Sequence, residues 1–477
     1  MRTYKEPVRE LPIIREVDVV VVGGGVSGIA AAIAAARAGA STILVEKSPR
    51  LGGVATSSLM TGMGNLFVKQ DGRLIVKGVA LDLINRTMEY GGWMPGWLHP
   101  NVGNIGFEPE AFEQACIDLL DAAGVETFLS TISSDVIMEG NAVKGLIIES
   151  VWSRDAVLCK AMVDASGESN MLMKAGAEHT LYPEGFFQVH GHNNHGTMLF
   201  RMGDVDIDKF VDYIVEENQY PEGYDGWLKT EQFRENWYER GLIFFPHGGA
   251  GFMKIFQDAI KDGRFNPEHG RFKHLAHMGL YGIKGHPVAV NSHFYYFNEP
   301  LLTTANMSRV NIEARAACRY VADFLIANVP GFENAKLVQT GNEFGIRLAR
   351  MLDTGNPYTE EEKNSGAKFA DTIGLVPVRT EDKKGLVSDM PLRMTIPKEV
   401  EGILAGSGKN IDARPNGLIR GMSRCMTVGQ GTGVAAAISA RLGVNVRDVP
   451  VLEIQKELVA QGAYLGEPER LKELGVL

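Results

Sequence analysis

Gly23, Gly25 and Gly28 stand in the spacing Gly-x-Gly-x-x-Gly, and Glu46 follows Gly28 after 18 residues. Glycines at these places allow a tight turn, a close backbone approach to a pyrophosphate and close packing of the next helix. Val26 and Ser27 lie inside the same turn, where a helix start offers free N–H groups and partial positive charge. Glu46 is placed to accept hydrogen bonds from a ribose, with Lys47 beside it. Histidines and arginines form a second set. His247, His286 and His293 are candidate general bases near neutral pH. His293 leads because it sits in SHFYYFN close to Asn291, and His247 is next. Arg347, Arg350 and Arg420 are candidates to clamp a carboxylate or a pyrophosphate. Three residues apart, Arg347 and Arg350 would share one face of a helix. His190-x-His192-x-x-His195 has no carboxylate or cysteine at ligand spacing, so it reads as solvated or pocket-lining and no metal site is expected.

These residues need elements to hold them. Asp18–Val22 is a β-branched run that reads as a buried parallel strand, Ile29–Ala38 as a closely packed helix, and Ser41–Val45 as a second strand ending on Glu46. The full order of strand, turn, helix, strand and acid is far more specific than a glycine triplet in a chain with 55 glycines. Val125–Leu129, Ile132–Met138, Ala142–Ser150 and Ala156–Val163 alternate as strands. Val205–Asn218, Gly251–Asp262 and Asn311–Ala327 read as helices, and Ala289–Asn298 as an aromatic-rich strand. Residues 69–106 read as a loop insertion with a helix at Val79–Tyr90, followed over 91–106 by an ordered loop whose aromatics either wall a pocket or anchor it through Trp93 and Trp97. Gly429-Gln430-Gly431-Thr432-Gly433 is expected to open a helix over Val434–Leu442, whose N-terminus would favour negative charge. Gly406-x-Gly408 lacks a third glycine and a helix, so no second nucleotide domain is expected.

Leu51-Gly52-Gly53 leads into VATSSLMTGMGN, which resembles the ExxxxxGG continuation of FAD-dependent oxidoreductases of the glutathione-reductase-like superfamily. Val163–Glu168 resembles that family's short return strand, and the strands over 125–163 its β-meander. NEFGIRLARMLDTGNPYTEE (342–361) and the stretch 402–443 resemble segments of a branch related distantly to fumarate reductase and succinate dehydrogenase flavoproteins. Leu348 and Ala349 replace a Glu and a Ser of that pattern, while Arg347 and Arg350 are kept. The resemblance implies an α/β fold: a Rossmann-type FAD-binding domain, a parallel sheet with a β-meander, carrying an inserted α+β cap. The expected division is residues 1–178 and 395–447 for the FAD domain, 179–394 for the cap and 448–477 for a helical tail. Implied FAD contacts are Gly23, Gly25, Val26, Ser27, Gly28, Glu46, Lys47, Gly52, Gly53, Thr56, Ser57, Gly167, Arg420 and Gly429, Gln430, Gly431, Thr432 and Gly433, with the backbone near Val136 meeting the adenine. No histidine lies between Glu46 and His99, so FAD is expected to be noncovalent.

The chain has 477 residues, a net charge of −10 and a pI of about 5.7. An acidic balance argues against nucleic acid or an anionic membrane as partner. Cys116, Cys159, Cys318 and Cys425 are far apart with no CxxC, which argues against an iron–sulfur insert and for buried thiols in a reducing cytoplasm. No 18-residue apolar run or signal-peptide core is present, so a cytoplasmic enzyme is expected, acting on a small molecule with an unidentified electron acceptor and open to homo-oligomerisation. The expected chemistry is oxidation of a small organic molecule by hydride transfer to flavin N5. An ene-reductase using an arginine donor and a nonredox role for FAD are the alternatives.

Overall fold

The computed structural model describes residues 2–477 apart from 65, 67–71, 95–96, 99–103, 182–193, 218–230, 246–253, 270–278, 292–294, 298–302, 348–349, 379–384 and 416. β1 (Ile13–Val22) ends in four consecutive valines, Val19 to Val22, that are all buried, as a strand covered on both faces requires. α1 (Val26–Arg37) is rich in alanine and buried from Val26 to Ala35. β2 (Thr42–Val45) lies parallel to β1, with Val22 opposite Val45.

β3 (Glu126–Phe128), β4 (Ile132–Glu139), β5 (Ala142–Glu149) and β6 (Arg154–Asp164) complete this side of the sheet in the order β3-β2-β1-β6-β5-β4. The stretch 125–129, grouped by sequence with the meander, is instead a third parallel strand beside β2. The meander is formed by β4, β5 and β6, which pair antiparallel.

The cap is a five-stranded antiparallel sheet with its own core. β7 (Phe200–Gly203), β8 (Leu242–Phe245), β9 (Gly279–Ile283) and β10 (Val288–Asn291) precede the long helix α2 (Thr304–Asn328), and β11 (Lys336–Thr340) follows it. The sheet order is β8-β9-β10-β7-β11. One cap core runs from Met198 to Ile346, where Phe200, Phe210, Phe245 and Val290 pack against Val310, Ala314 and Val321 of α2. Leu352, Tyr358, Val376, Met390 and Met394, expected within the cap, are buried instead with Val20, Ile43 and Val45 of the first domain.

The chain then re-enters the first sheet. β12 (Ile403–Ala405) lies parallel to the C-terminal end of β6, whose N-terminal half is held by β5. α3 (Met422–Leu442) follows and packs along α1. Trp93 stacks on Phe107 with centroids 5.5 Å apart and meets Trp97 edge-on at 5.8 Å. Both tryptophans are buried in the first domain's core, so in the described part of the 69–106 loop they act as anchors.

Candidate functional site

Gly28 must be glycine because a Cβ there would lie 1.8 Å from the Gly23 carbonyl oxygen. The turn thereby presses α1 against β1. Gly25 is the opposite case. A Cβ built on it meets only the Gly53 Cα, at 4.0 Å, so that side of the glycine turn is an open cradle, although the double glycine packs close by, a Cβ on Gly53 falling 2.9 Å from the Gly25 Cα. Gly25 is also the N-cap of α1 and has no side-chain cap, which leaves the first-turn amides of Val26, Ser27 and Gly28 for an anion. Backbone pairing of Gly25 with Gly52 fixes the cradle's width.

Glu46 is buried and accepts from the Gly24 N–H at 2.6 Å and the Ser48 N–H at 2.8 Å. Burial raises its pKa, and the two amides oppose that shift. Lys47 pairs with Glu343 at 2.9 Å across to the end of the cap, with both side chains largely exposed. The return strand ends at Asp164, whose buried carboxylate accepts from Ser166, Met171 and Leu172 and so fixes the Gly167 loop. Next to it, burial pushes Glu168 up, but Lys409 at 3.1 Å, together with Lys47 and Arg350, holds it below the usual carboxylate range. A Cβ on Gly167 would approach Lys409 to 3.6 Å.

Thr56 donates to the Leu51 carbonyl and holds the loop after the double glycine. Ser57 and Ser58 follow, buried, with hydroxyls that have no hydrogen-bond partner among the described residues. An FAD group fits these residues: the cradle at Gly25 suits a pyrophosphate, Glu46 a ribose, and the orphaned hydroxyls face polar atoms yet to be supplied.

The backbone around several of the expected contacts differs from the sequence reading. Gly429 to Gly433 do not open a helix, because α3 starts seven residues earlier, at Met422. A Cβ on Gly429 would lie 2.1 Å from the Ser27 carbonyl oxygen, and one on Gly433 2.1 Å from that of Ala31. Glycines four apart share a helix face, so this pair is where α3 and α1 touch backbone to backbone. Gln430 accepts from the Val79 N–H at 3.2 Å, Gly431 lies against Ile373, and Thr432 donates to Val428 within its own helix. Gly429, Gly431 and Gly433 thus make close packing contacts, while Gln430 Nε2 is buried without a hydrogen-bond partner among the described residues. The true N-terminus of α3 borders the expected flavin loop, where Ser423 donates to the Gly64 carbonyl at 2.7 Å. Arg420, just before it, is half-buried, and burial lowers its pKa.

Val136 lies on the edge strand β4, separated from β2 by β5, β6 and β1. The neighbour of the acid is Thr131, whose N–H donates to the Glu46 carbonyl at 3.0 Å. Arg347 and Arg350 do not share a helix face, since the segment runs as the short strands Gly345–Ile346 and Arg350–Leu352. Arg350 donates to the Glu168 carbonyl at 3.0 Å and to Asn170 at 3.1 Å, which ties it to the return loop. Arg347 is buried on the cap side, within electrostatic reach of the Tyr281 hydroxyl. His247, His293, His190 and His192 lie outside the described residues. His286 is exposed and sits 3.2 Å from Glu108, beside the buried Glu108–Arg201 ion pair that joins the two domains.

Two further groups had no motif to announce them. The ring of Tyr281 covers Gly62, where a Cβ would come within 2.8 Å of it, and Leu59, Leu199 and Ala289 close the contact. Thr197 donates to Asn291 Oδ1 at 3.2 Å, and Asn291 Nδ2 donates to the Tyr281 oxygen at 3.4 Å, all three being buried. Asn291 was visible as a polar residue near His293, whereas Tyr281 lies in an ordinary hairpin strand with no distinctive spacing.

Among the described residues no group of three or more His, Cys, Asp or Glu is placed to hold a metal ion, and no helix is long and apolar enough to cross a membrane. The chain is 26% identical over 214 residues to the digeranylgeranylglycerophospholipid reductase of Methanoculleus marisnigri, covering 43% of this chain and 51% of that one. It is 51% identical over 100 residues to a 3-oxosteroid 1-dehydrogenase of Mycobacterium tuberculosis, covering 21% of this chain and 16% of the other. The chain thus spans about half the length, or less, of these curated relatives. Among solved structures, a geranylgeranyl bacteriochlorophyll reductase-like protein of Thermoplasma acidophilum is similar with a TM-score of 0.46 and 14% identity, over 96% of this chain and 90% of that one. The family model of FAD dependent oxidoreductases matches residues 18–458, and the chain belongs to that family.

Proposed function

We propose that this FAD-dependent oxidoreductase oxidises a small organic molecule, as a dehydrogenase or oxidase. The observation that carries the reading is the pair of buried hydroxyls of Ser57 and Ser58, without a hydrogen-bond partner among the described residues, beneath a cap wall of Thr197, Asn291 and Tyr281. Bound FAD supplies hydride exchange at its isoalloxazine ring. The first-turn amides of α1 hold its pyrophosphate and Glu46 its ribose, while Lys47 and Gly167 line the same edge. Gly52, Gly53 and Thr56 shape the loop under the ring. The cap excludes water through the contact of Leu59, Leu199, Tyr281 and Ala289 and orients the substrate from the opposite side. A base is still needed for the substrate proton, and His293 is the first candidate, then His247.

Arg347 favours a second reading, an ene-reductase acting on an unsaturated acid, because a buried cation beside the cap wall suits a carboxylate. Anaerobic mixing with candidate substrates separates the readings. Bleaching of the yellow band by a reduced substrate supports oxidation. Bleaching by dithionite alone, followed by recovery with an unsaturated acid, overturns oxidation and supports reduction. No change of the band during turnover removes both.

A further inference from the structure

The segment 341–345, which leads the chain out of the cap after β11, is held from three sides. On the cap side Arg315 of α2 donates to the carbonyls of Gly341 at 3.1 Å and Asn342 at 2.8 Å, and the Phe344 N–H donates to Asn311 Oδ1 at 2.8 Å. The Gly341 N–H donates to the Leu199 carbonyl at 2.9 Å. On the side of the loop after the double glycine, the Asn342 N–H donates to the Ser57 carbonyl at 2.7 Å. The fit there is close, since a Cβ on Gly341 would lie 3.4 Å from the Ser58 Cα and one on Gly345 3.7 Å from the Ser58 hydroxyl. At the third side Glu343 meets the Lys47 ammonium at 2.9 Å, one residue beyond Glu46. One segment thus spans from the loop expected under the flavin ring to the neighbour of the ribose acid. Its fastenings are unequal. The Arg315 guanidinium makes charge-assisted bonds to two carbonyls. The Lys47–Glu343 pair has side chains 63% and 40% exposed, so it is screened and weak. The weak end lies over the ribose side and the strong end on the cap.

We propose that 341–345 is a strap over the FAD cleft: it opens at Lys47–Glu343, stays anchored to α2 through Arg315 and Asn311, and so sets the rate at which FAD enters and leaves. This goes beyond the choice between oxidation and reduction, and it rests on FAD lying between the Gly25 cradle and the Ser57 loop. The Lys47–Glu343 pair joins protein to protein. Weakening it therefore speeds entry and exit alike and leaves the affinity nearly unchanged, whereas loss of a direct cofactor contact lowers the affinity.

The test uses the full-length protein. Exit is followed by displacing bound FAD with excess 8-chloro-FAD, and entry by the fluorescence change on mixing FAD with apoprotein. Glu343→Gln, a substitution at a partly exposed site, should speed both rates by about 2- to 5-fold, the value of an exposed ion pair, with Kd nearly unchanged. Arg315→Met should speed both by roughly 10-fold or more, because two charge-assisted bonds are lost. A locked strap gives the converse. Lys47→Cys with Glu343→Cys, joined by bismaleimidoethane while FAD is bound, should release FAD roughly 10-fold or more slowly than the same variant before cross-linking, since the strap can no longer lift. The four native cysteines are buried, which directs the reagent to the new pair. A merely structural role would leave exchange indifferent to the cross-link. Parental rates in Glu343→Gln or Arg315→Met, a change of Kd in Glu343→Gln with the entry rate unaltered, or exchange unaffected by the cross-link would each overturn the proposal. Failure of the cofactor reading is a separate result, seen as protein from which acid releases no FAD.

Discussion

The backbone N–H of Asn342 donates to the carbonyl of Ser57 over 2.7 Å, joining the segment that leaves the cap to the loop that follows the double glycine. Lys47 and Glu343 reinforce the junction from the exposed side. The end of the cap and the cofactor loop therefore share one seam, and the seam frames the first prediction.

Purified protein should carry one noncovalent FAD per chain. Acid precipitation should send the flavin into the supernatant. Flavin that stays in the pellet would contradict noncovalent binding, and a colourless protein indifferent to added FAD would remove the assignment of the Gly25 cradle.

Glu46→Ala should weaken FAD binding roughly 10- to 100-fold, the value of a charge-assisted hydrogen-bond set worth about 1.5–3 kcal/mol. Flavin fluorescence titration of the apoprotein reads this directly. Unchanged affinity would mean that Glu46 serves only its two backbone partners, Gly24 and Ser48.

Gly433→Leu should destabilise the protein by about 1–3 kcal/mol or more, because the new side chain has to enter the 2.1 Å gap above the Ala31 carbonyl. The loss should be present in the apoprotein. If only FAD affinity fell while apoprotein stability held, the glycine pair would be a cofactor contact after all.

Arg201→Ala should cost about 3–5 kcal/mol, since Glu108 is then left buried without its charge partner. Replacing both, Arg201→Met with Glu108→Leu, should recover most of that loss. Equal destabilisation in single and double variants, measured by urea unfolding, would mean that the pair is not coupled.

Lys409→Met should lower stability at neutral pH by about 1–3 kcal/mol, between exposed and fully buried ion pairs. Glu168 has a folded pKa below its ordinary value, so the contribution is full above the ordinary carboxylate range and fades as pH falls through the lower folded value. Melting curves of parent and variant should therefore converge in acid. A gap independent of pH would assign the effect to packing.

The nucleotide unit was legible because its signals are local. The β-branched run, the glycine turn, the alanine-rich helix and Glu46 lie within 29 residues, and each specifies backbone and burial together. Gly429–Gly433 misled for the converse reason. Glycine discourages helices by itself, and here the contact with α1, remote in sequence, overrides that preference. The spacing Gly429-x-x-x-Gly433 opposite an alanine-rich helix was the available clue. Arg347 and Arg350 were read with a helical period, while the chain there runs as two short strands. Tyr281 and Thr197 belong to strands of the cap whose meeting is set by tertiary packing, which no periodicity reports.

The contact between α1 and α3 also sets a schedule for biosynthesis. Ser27 and Gly429 are 402 residues apart, yet each backbone covers the other. At ribosomal rates that interval lasts roughly 20–80 seconds. Through it the nascent α1 has an alanine face and no helix to meet it, and β6 still awaits β12. The first domain is thus begun at β1 and closed only when α3 arrives, so chain truncation anywhere before residue 440 yields an open, aggregation-prone half-domain rather than a smaller flavoprotein.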